Sequence, residues 1–170
     1  MKKTLWITQT AVLTALLVLL QTLTKAGGQF VTGSCVNAVL AVAVLFSGLW
    51  SGVTVALFSP FFAFALGIGP QLLAIVPAIA AGNVVYVLAL RALSGRQLWR
   101  QGIGWVCASA CKFLTLNLLI VQVLCRILSL PEKQVTTFSA MFSWPQLVTA
   151  LIGGGIALLV VPILRKTFRR

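Results

Sequence analysis

Six apolar stretches, at residues 6–24, 34–50, 53–68, 70–93, 103–130 and 144–164, limit what this chain can fold into more than any other feature. Each is close to the length of helix that crosses a bilayer, about 20 apolar residues. Within the hydrocarbon core every backbone N–H and C=O has to be bonded internally, and a helix does this within its own segment. Hydrophobic residues make up 60% of the 170 and charged ones only 8%, so little chain remains for a soluble domain. These features predict an all-α membrane protein, a single integral membrane domain over residues 1–170 with six transmembrane helices at about those positions.

The opening MKKTLWITQTAVLTALL has the basic start and apolar run of a secretory signal. Followed by five further spans, it reads instead as the first membrane helix. Lysine and arginine collect in short cytoplasmic loops. Placing both termini inside puts Lys2, Lys3, Arg91, Arg96, Arg100, Arg165, Lys166, Arg169 and Arg170 on that side, against Lys25 and Lys133 outside. The predicted topology therefore has cytoplasmic N and C termini, in a multi-pass membrane protein. This asymmetry and the anionic lipid of the inner leaflet account for most of the formal charge of +12, so nucleic acid is not expected as a partner. Trp6, Trp50, Trp99 and Trp105 fall at predicted inner boundaries and Trp144 at an outer one, the pattern of an aromatic belt.

Catalysis lacks its parts. The chain has no histidine and one carboxylate, Glu132, which rules out acid–base, triad and carboxylate–metal arrangements. It has no G-x-x-x-x-G-K-[ST] loop to hold ATP. Cys35, Cys107, Cys111 and Cys125 form no C-x-x-C. Cys107 and Cys111 share a helix face and read as small packing residues, while a pairing of Cys35 with Cys125 stays open. The expectation is a protein that is not an enzyme and uses no metal or cofactor.

Polar groups within the spans carry the rest. On a helix of 3.6 residues per turn, Thr4, Thr8, Ala11 and Ala15 form one stripe of small side chains. Small residues four apart let helices approach closely in a membrane, so the stripe is a docking face, for another span or for a separate protein. In the fifth span Lys112, Thr115, Gln122 and Arg126 fall within about 80° of arc. A charge at the bilayer centre costs roughly 3 kcal/mol or more unless it faces protein, water or a partner, so this stripe is expected to face inward. Glu132, the only acid, lies in the last outer loop. An inward cation would therefore find its counter-ion in an anionic ligand.

Depth separates the two cations. Lys112 is about 13 Å along the helix from Ile103, near the midplane, and about 21 Å from Arg126. Arg126 reads either as a rim residue of the site or as a snorkelling side chain that reaches headgroups. In the fourth span Asn83 lies about 20 Å from Pro70, level with Lys112, and Tyr86 shares its face. Asn83 either forms a pocket floor with Lys112 or makes a structural bond between helices. The third span is short and broken by Ser59-Pro60; it either lines a cavity or is simply kinked, with its phenylalanines toward lipid. The longer connections, 24–34 and 129–143, are on the predicted outer side, where binding groups and lids tend to be.

Taken in order along the chain, these features resemble the substrate-binding S components of energy-coupling factor (ECF) vitamin transporters. The resemblance rests on six spans in a short chain, A-x-x-x-A in the first helix (AVLTA, 11–15), the polar first outer loop TKAGGQFVTGSCVN and Gly82-Asn83 in span four. SWPQLVTALIGGGIALLVVP (143–162) is similar to the sixth helix of that family. Order and spacing over essentially the whole chain carry it, rather than one specific motif. It implies an S-component-like bundle in a bacterial cell membrane that captures a vitamin or related micronutrient at the outer face. It also implies docking onto a transmembrane coupling subunit driven by two ATPase subunits, with Ala11 and Ala15 as contacts beside Thr8, and a lid around Gln29 and Phe30. Pocket residues in the family vary with substrate, so the remaining candidates, Lys112, Gln122, Arg126, Asn83, Thr115 and Tyr86, come from the helical faces. They favour a carboxylate or phosphate such as pantothenate, biotin, nicotinate or a folate, with Phe30, Phe61 and Phe62 available to stack a ring. A noncatalytic membrane scaffold of the cell-shape type is the alternative from another class, and a transporter working without an energy module is a third.

Overall fold

The computed structural model describes residues 2–95 and 97–168, and among these residues all regular structure is helical. The helices are α1 (Lys2–Thr24), α2 (Gly28–Val42), α3 (Leu49–Ala65), α4 (Val76–Leu93), α5 (Leu98–Leu116), α6 (Cys125–Ile127), α7 (Glu132–Met141) and α8 (Trp144–Thr167). A π-helical turn, Ala43–Ser47, extends α2, and a longer one, Asn117–Leu124, joins α5 to α6 in one continuous rod. The stretches Thr4–Ser47, Leu73–Leu93, Trp99–Ile127 and Glu132–Thr167 are long and apolar enough to cross a membrane, and Leu49–Ala65 is a shorter apolar helix. The chain is thus an all-α, multi-pass membrane protein. Arg96, Arg169 and Arg170, three of the basic residues expected on the cytoplasmic side, lie outside the described residues.

Helices begin and end at places that hydropathy alone does not mark. The connection expected at 24–34 is mostly helix: Lys25–Gly27 form a single 3-10 turn and α2 starts at Gly28. Gly28 has φ +74° and ψ −175°, and Gly48, between the end of α2 and α3, has φ +103° and ψ 174°. L side chains rarely take up such backbone, so each reversal is made at a glycine and the flanking residues stay helical. The fourth helix starts at Val76 rather than at residue 70, with Pro77 in its first turn, where a missing N–H is not needed. The connection expected at 129–143 contains the ten-residue α7.

Packing is tightest where small residues meet. A Cβ built on Gly153 of α8 would lie 2.5 Å from the Ser34 carbonyl oxygen and 2.6 Å from the Ala38 nitrogen. The backbones of α2 and α8 are therefore in direct contact, as small residues permit in membrane bundles. Around this seam a main core joins Leu13 and Leu17 of α1 with Leu40, Val55, Tyr86, Val87, Ala108 and Ala157. A second cluster, including Ile75, Leu116, Ile120, Cys125, Phe138 and Phe142, packs α7 against the π-helical rod. Trp6, Trp50, Trp99 and Trp144 are exposed, as a belt requires. Trp105 instead lies against Gly154 and Gly155 of α8. All four cysteines are free.

Candidate functional site

The side chains that hydropathy makes least expected in the interior converge on one nitrogen. Lys112 of α5 is 3% exposed, and its Nζ donates to Asn37 Oδ1 at 2.5 Å and to Asn83 Oδ1 at 2.7 Å. An ammonium group only donates, so both carboxamides turn their oxygens toward it. Their nitrogens then point the other way, and Asn37 Nδ2 donates to Thr149 Oγ1 (3.3 Å) while Asn83 Nδ2 donates to Ser59 Oγ (3.2 Å). The Tyr86 ring centroid is 5.5 Å from Lys112 Nζ, within cation–π range, and the Tyr86 hydroxyl donates to the Ala150 carbonyl at 3.3 Å. Side chains of α2, α3, α4, α5 and α8 thus meet in one buried network. An unbonded polar group buried in such a place costs roughly 2–7 kcal/mol relative to water, and here both ends of each asparagine carboxamide are used.

This network floors a cavity of about 230 Å³. Lys112, Asn37, Asn83, Ser59 and Pro60 line its base, Gln21, Gly33, Val36 and Ile79 its walls, and Lys25, Gln29, Gly69, Phe142 and Gln146 its loop end. That end is held together by one carbonyl: Gln29 Nε2 donates to Met141 O at 2.5 Å and Gln146 Nε2 to the same oxygen at 3.2 Å. The start of α2 is thereby tied to the joint between α7 and α8. Gln21 is 4% exposed, and its Oε1 is buried without a partner among the described residues.

The residues expected at the site do not all meet there. Lys112, Asn83 and Gln29 line the cavity, and Tyr86 lies beneath it, fully buried. Thr115 turns its hydroxyl to the Cys111 carbonyl (2.8 Å) and is not among the lining residues. Gln122 and Arg126 are both exposed and bond to each other, Arg126 donating to Gln122 Oε1 at 3.0 Å, away from the cavity. Phe30 is exposed and packs on Trp144, with ring centroids 5.6 Å apart, and Phe61 and Phe62 are exposed while their neighbours Ser59 and Pro60 line the cavity. On α1, Thr8, Ala11 and Ala15 all lie on the exposed face, whereas Thr10, Leu13, Leu17 and Gln21 form the buried one.

Asn37, Thr149 and Gln21 escaped the sequence reading. The depth reasoning applied to Asn83 would have found Asn37, since a lone asparagine in an apolar span needs a partner at its own level. Gln21 sits near the end of the first span, where an amide is unremarked because headgroups or water can serve it.

A family model described as "ECF transporter, substrate-specific component" matches residues 6–165, from the first helix to the last. Comparison with curated proteins and with solved structures found no match.

Proposed function

The chain belongs to the family of ECF transporter substrate-specific components, and from that premise we propose that it captures an anionic, vitamin-sized micronutrient and passes it inward with an ATP-driven energy-coupling module. In this reading the chain crosses a bacterial cell membrane six times, by α1, α2 with its π turn, α3, α4, the α5–α6 rod and α8; an even number brings both termini to one side, and the basic residues make that side the cytoplasm. The cavity end then faces outward and the Arg91 and Arg165 end inward, in keeping with the placement of basic residues in such proteins. Helix α7 lies over the outer end beside the Gln29 tie, which acts as part of the lid.

The observation that carries the ligand class is Lys112 at the base of the cavity. Two of the three N–H groups of its ammonium form are directed at Asn37 and Asn83, leaving one for a carboxylate or phosphate. The chain's single acid, Glu132, begins α7 and is not among the lining residues, so a bound anion supplies the compensating charge. Gln21 Oε1, without a donor among the described residues, accepts an N–H or O–H from the same ligand, and Lys25 is a second cation nearer the opening. A ligand with an acid group at one end and a hydroxyl, amide or ring N–H a few atoms away satisfies both ends.

Native mass spectrometry of gently purified protein, followed by titration with the ligand so identified, tests this reading. An acid is expected, with binding at least about tenfold weaker in Lys112→Gln, since a hydrogen bond to a charged group contributes roughly 1.5–3 kcal/mol. A cationic ligand held equally well by Lys112→Gln would overturn the anionic assignment. The exposed Thr8, Ala11 and Ala15 face has its own test. Ala11→Trp with Ala15→Trp is expected to abolish co-purification with the coupling subunit and its ATPases while ligand binding persists.

A further inference from the structure

A second recess, of about 750 Å³, opens at the opposite end of the bundle, where α2, α4, α5 and α8 end or begin. Arg91 and Arg165 line it, together with Ser47 and Ser94 and the apolar Leu158 and Pro162. The hydroxyl oxygens of Ser47 and Ser94 are buried without a hydrogen-bond partner among the described residues. Arg165 gives one N–H to the Leu45 carbonyl at 2.5 Å, which leaves four of its five donors. Two guanidinium groups therefore line one recess, with two hydroxyls closed off just beneath its surface and unpartnered among the described residues, at the end of the molecule away from Glu132.

We propose that this recess holds the phosphodiester headgroup of an anionic phospholipid. Guanidinium groups match phosphate oxygens two at a time, and the two serine hydroxyls, unpartnered just beneath the surface, supply further donors by rotating toward the headgroup. The apolar half of the lining identifies the source of the phosphate as lipid. Leu158 and Pro162 alternate on α8 with Leu159 and Ile163, which are 75% and 65% exposed, so the recess runs without a polar break into a surface suited to acyl chains. Arg165 also lines an adjoining recess of about 500 Å³ beside Phe168, so this one side chain borders both. Basic pockets between membrane helices on the cytoplasmic side are established binding places for such headgroups, and the assignment stands whether or not the cavity at the other end takes an anion.

The test uses the whole purified chain, stripped of lipid and titrated with phosphatidylglycerol or phosphatidylcholine, with bound lipid counted by native mass spectrometry. Phosphatidylglycerol is expected to bind at lower concentration than phosphatidylcholine. Arg91→Gln is expected to weaken it about fivefold, the size of one basic contact at a membrane surface, and Ser47→Ala with Ser94→Ala to weaken it about twofold. Arg165→Gln also removes the bond to Leu45, so Arg91→Gln, which alters an exposed side chain, is the decisive variant. Lys133→Gln, on α7 at the other end, is expected to leave lipid binding unchanged. Equal binding of the two lipids, or phosphatidylglycerol binding unaffected by Arg91→Gln, would overturn the proposal. So would displacement of phosphatidylglycerol by millimolar inorganic phosphate, which would make the recess a site for free anions.

Discussion

Lys112 and Arg126 lie on the same helical rod, and their surroundings could hardly differ more. Lys112 is 3% exposed, with asparagine oxygens at 2.5 and 2.7 Å. Arg126 is exposed and, among the described residues, bonds to Gln122, one turn earlier on its own rod. A wheel at 100° per residue sets the two on one stripe. What parts them is the π-helical stretch Asn117–Leu124 between them. Its i→i+5 bonding turns the chain through fewer degrees per residue than an α-helix. The buried positions of the rod record the lag: Leu116 follows Lys112 by four and Ile120 follows by four, but the next, Cys125, follows by five. Gln122 and Arg126, at the trailing edge of the stripe, are thereby carried off the buried face.

The most severe way to sharpen this contrast is Lys112→Met. It removes both bonds and leaves Asn37 Oδ1 and Asn83 Oδ1 buried without donors, at a cost of roughly 1–3 kcal/mol each. Relief from burying a cation offsets part of that. We therefore expect a modest fall in thermal unfolding temperature but a loss of anionic-ligand affinity of about a hundredfold, as when a buried charged partner is truncated. Unaltered binding in Lys112→Met would make the network a structural device and move the ligand elsewhere in the cavity.

Next in size is Gly153→Ala, which acts on the buried end through the backbone. Its Cβ would meet the Ser34 carbonyl and the Ala38 nitrogen of α2 at 2.5 and 2.6 Å, and neither can swing aside as a flexible side chain does. Overpacking of this kind costs about 1–3 kcal/mol, and by pushing α2 from α8 it displaces Asn37 from Thr149 and Lys112. Both unfolding temperature and ligand affinity are expected to fall. Gly155→Ala, whose nearest neighbour is the Trp105 ring at 3.3 Å, is expected to change neither appreciably. Equal effects of the two would show that the α2–α8 seam does not set the site.

Much of this is legible in the sequence. Apolar runs reveal helices because a bilayer permits little else, and the depth of Lys112 and Asn83 follows from a rise of 1.5 Å per residue. Helix ends were less legible. Hydropathy does not register that Gly28 and Gly48 reverse the chain within one residue, and so it widens the connection around the first and sets the second at 51–52 instead of at Gly48. The path of the α5–α6 rod was not legible either, since a π turn leaves no mark in an apolar sequence such as NLLIVQVL. Partners from distant helices, Asn37 from α2 and Thr149 from α8, depend on which helices touch, and that is decided by close contacts such as Gly153 on Ser34 rather than by any local pattern.

The smallest expected effect bears most directly on the opening contrast. Arg126→Gln and Gln122→Ala remove an exposed pair, and such pairs contribute little, so ligand affinity at physiological salt is expected to stay within about twofold. The assay is informative because a rim role and a headgroup role differ in their dependence on ionic strength. A cation that only steers an anion toward the cavity acts on the association rate, and its influence fades once the Debye length shrinks below about 10 Å near 0.1 M salt. If Arg126→Gln slows association at low salt and leaves dissociation alone, Arg126 belongs to the rim although it touches nothing in the cavity. If neither rate changes at any salt concentration, its guanidinium serves the membrane surface, and Lys112 is the one cation on the rod that meets the ligand.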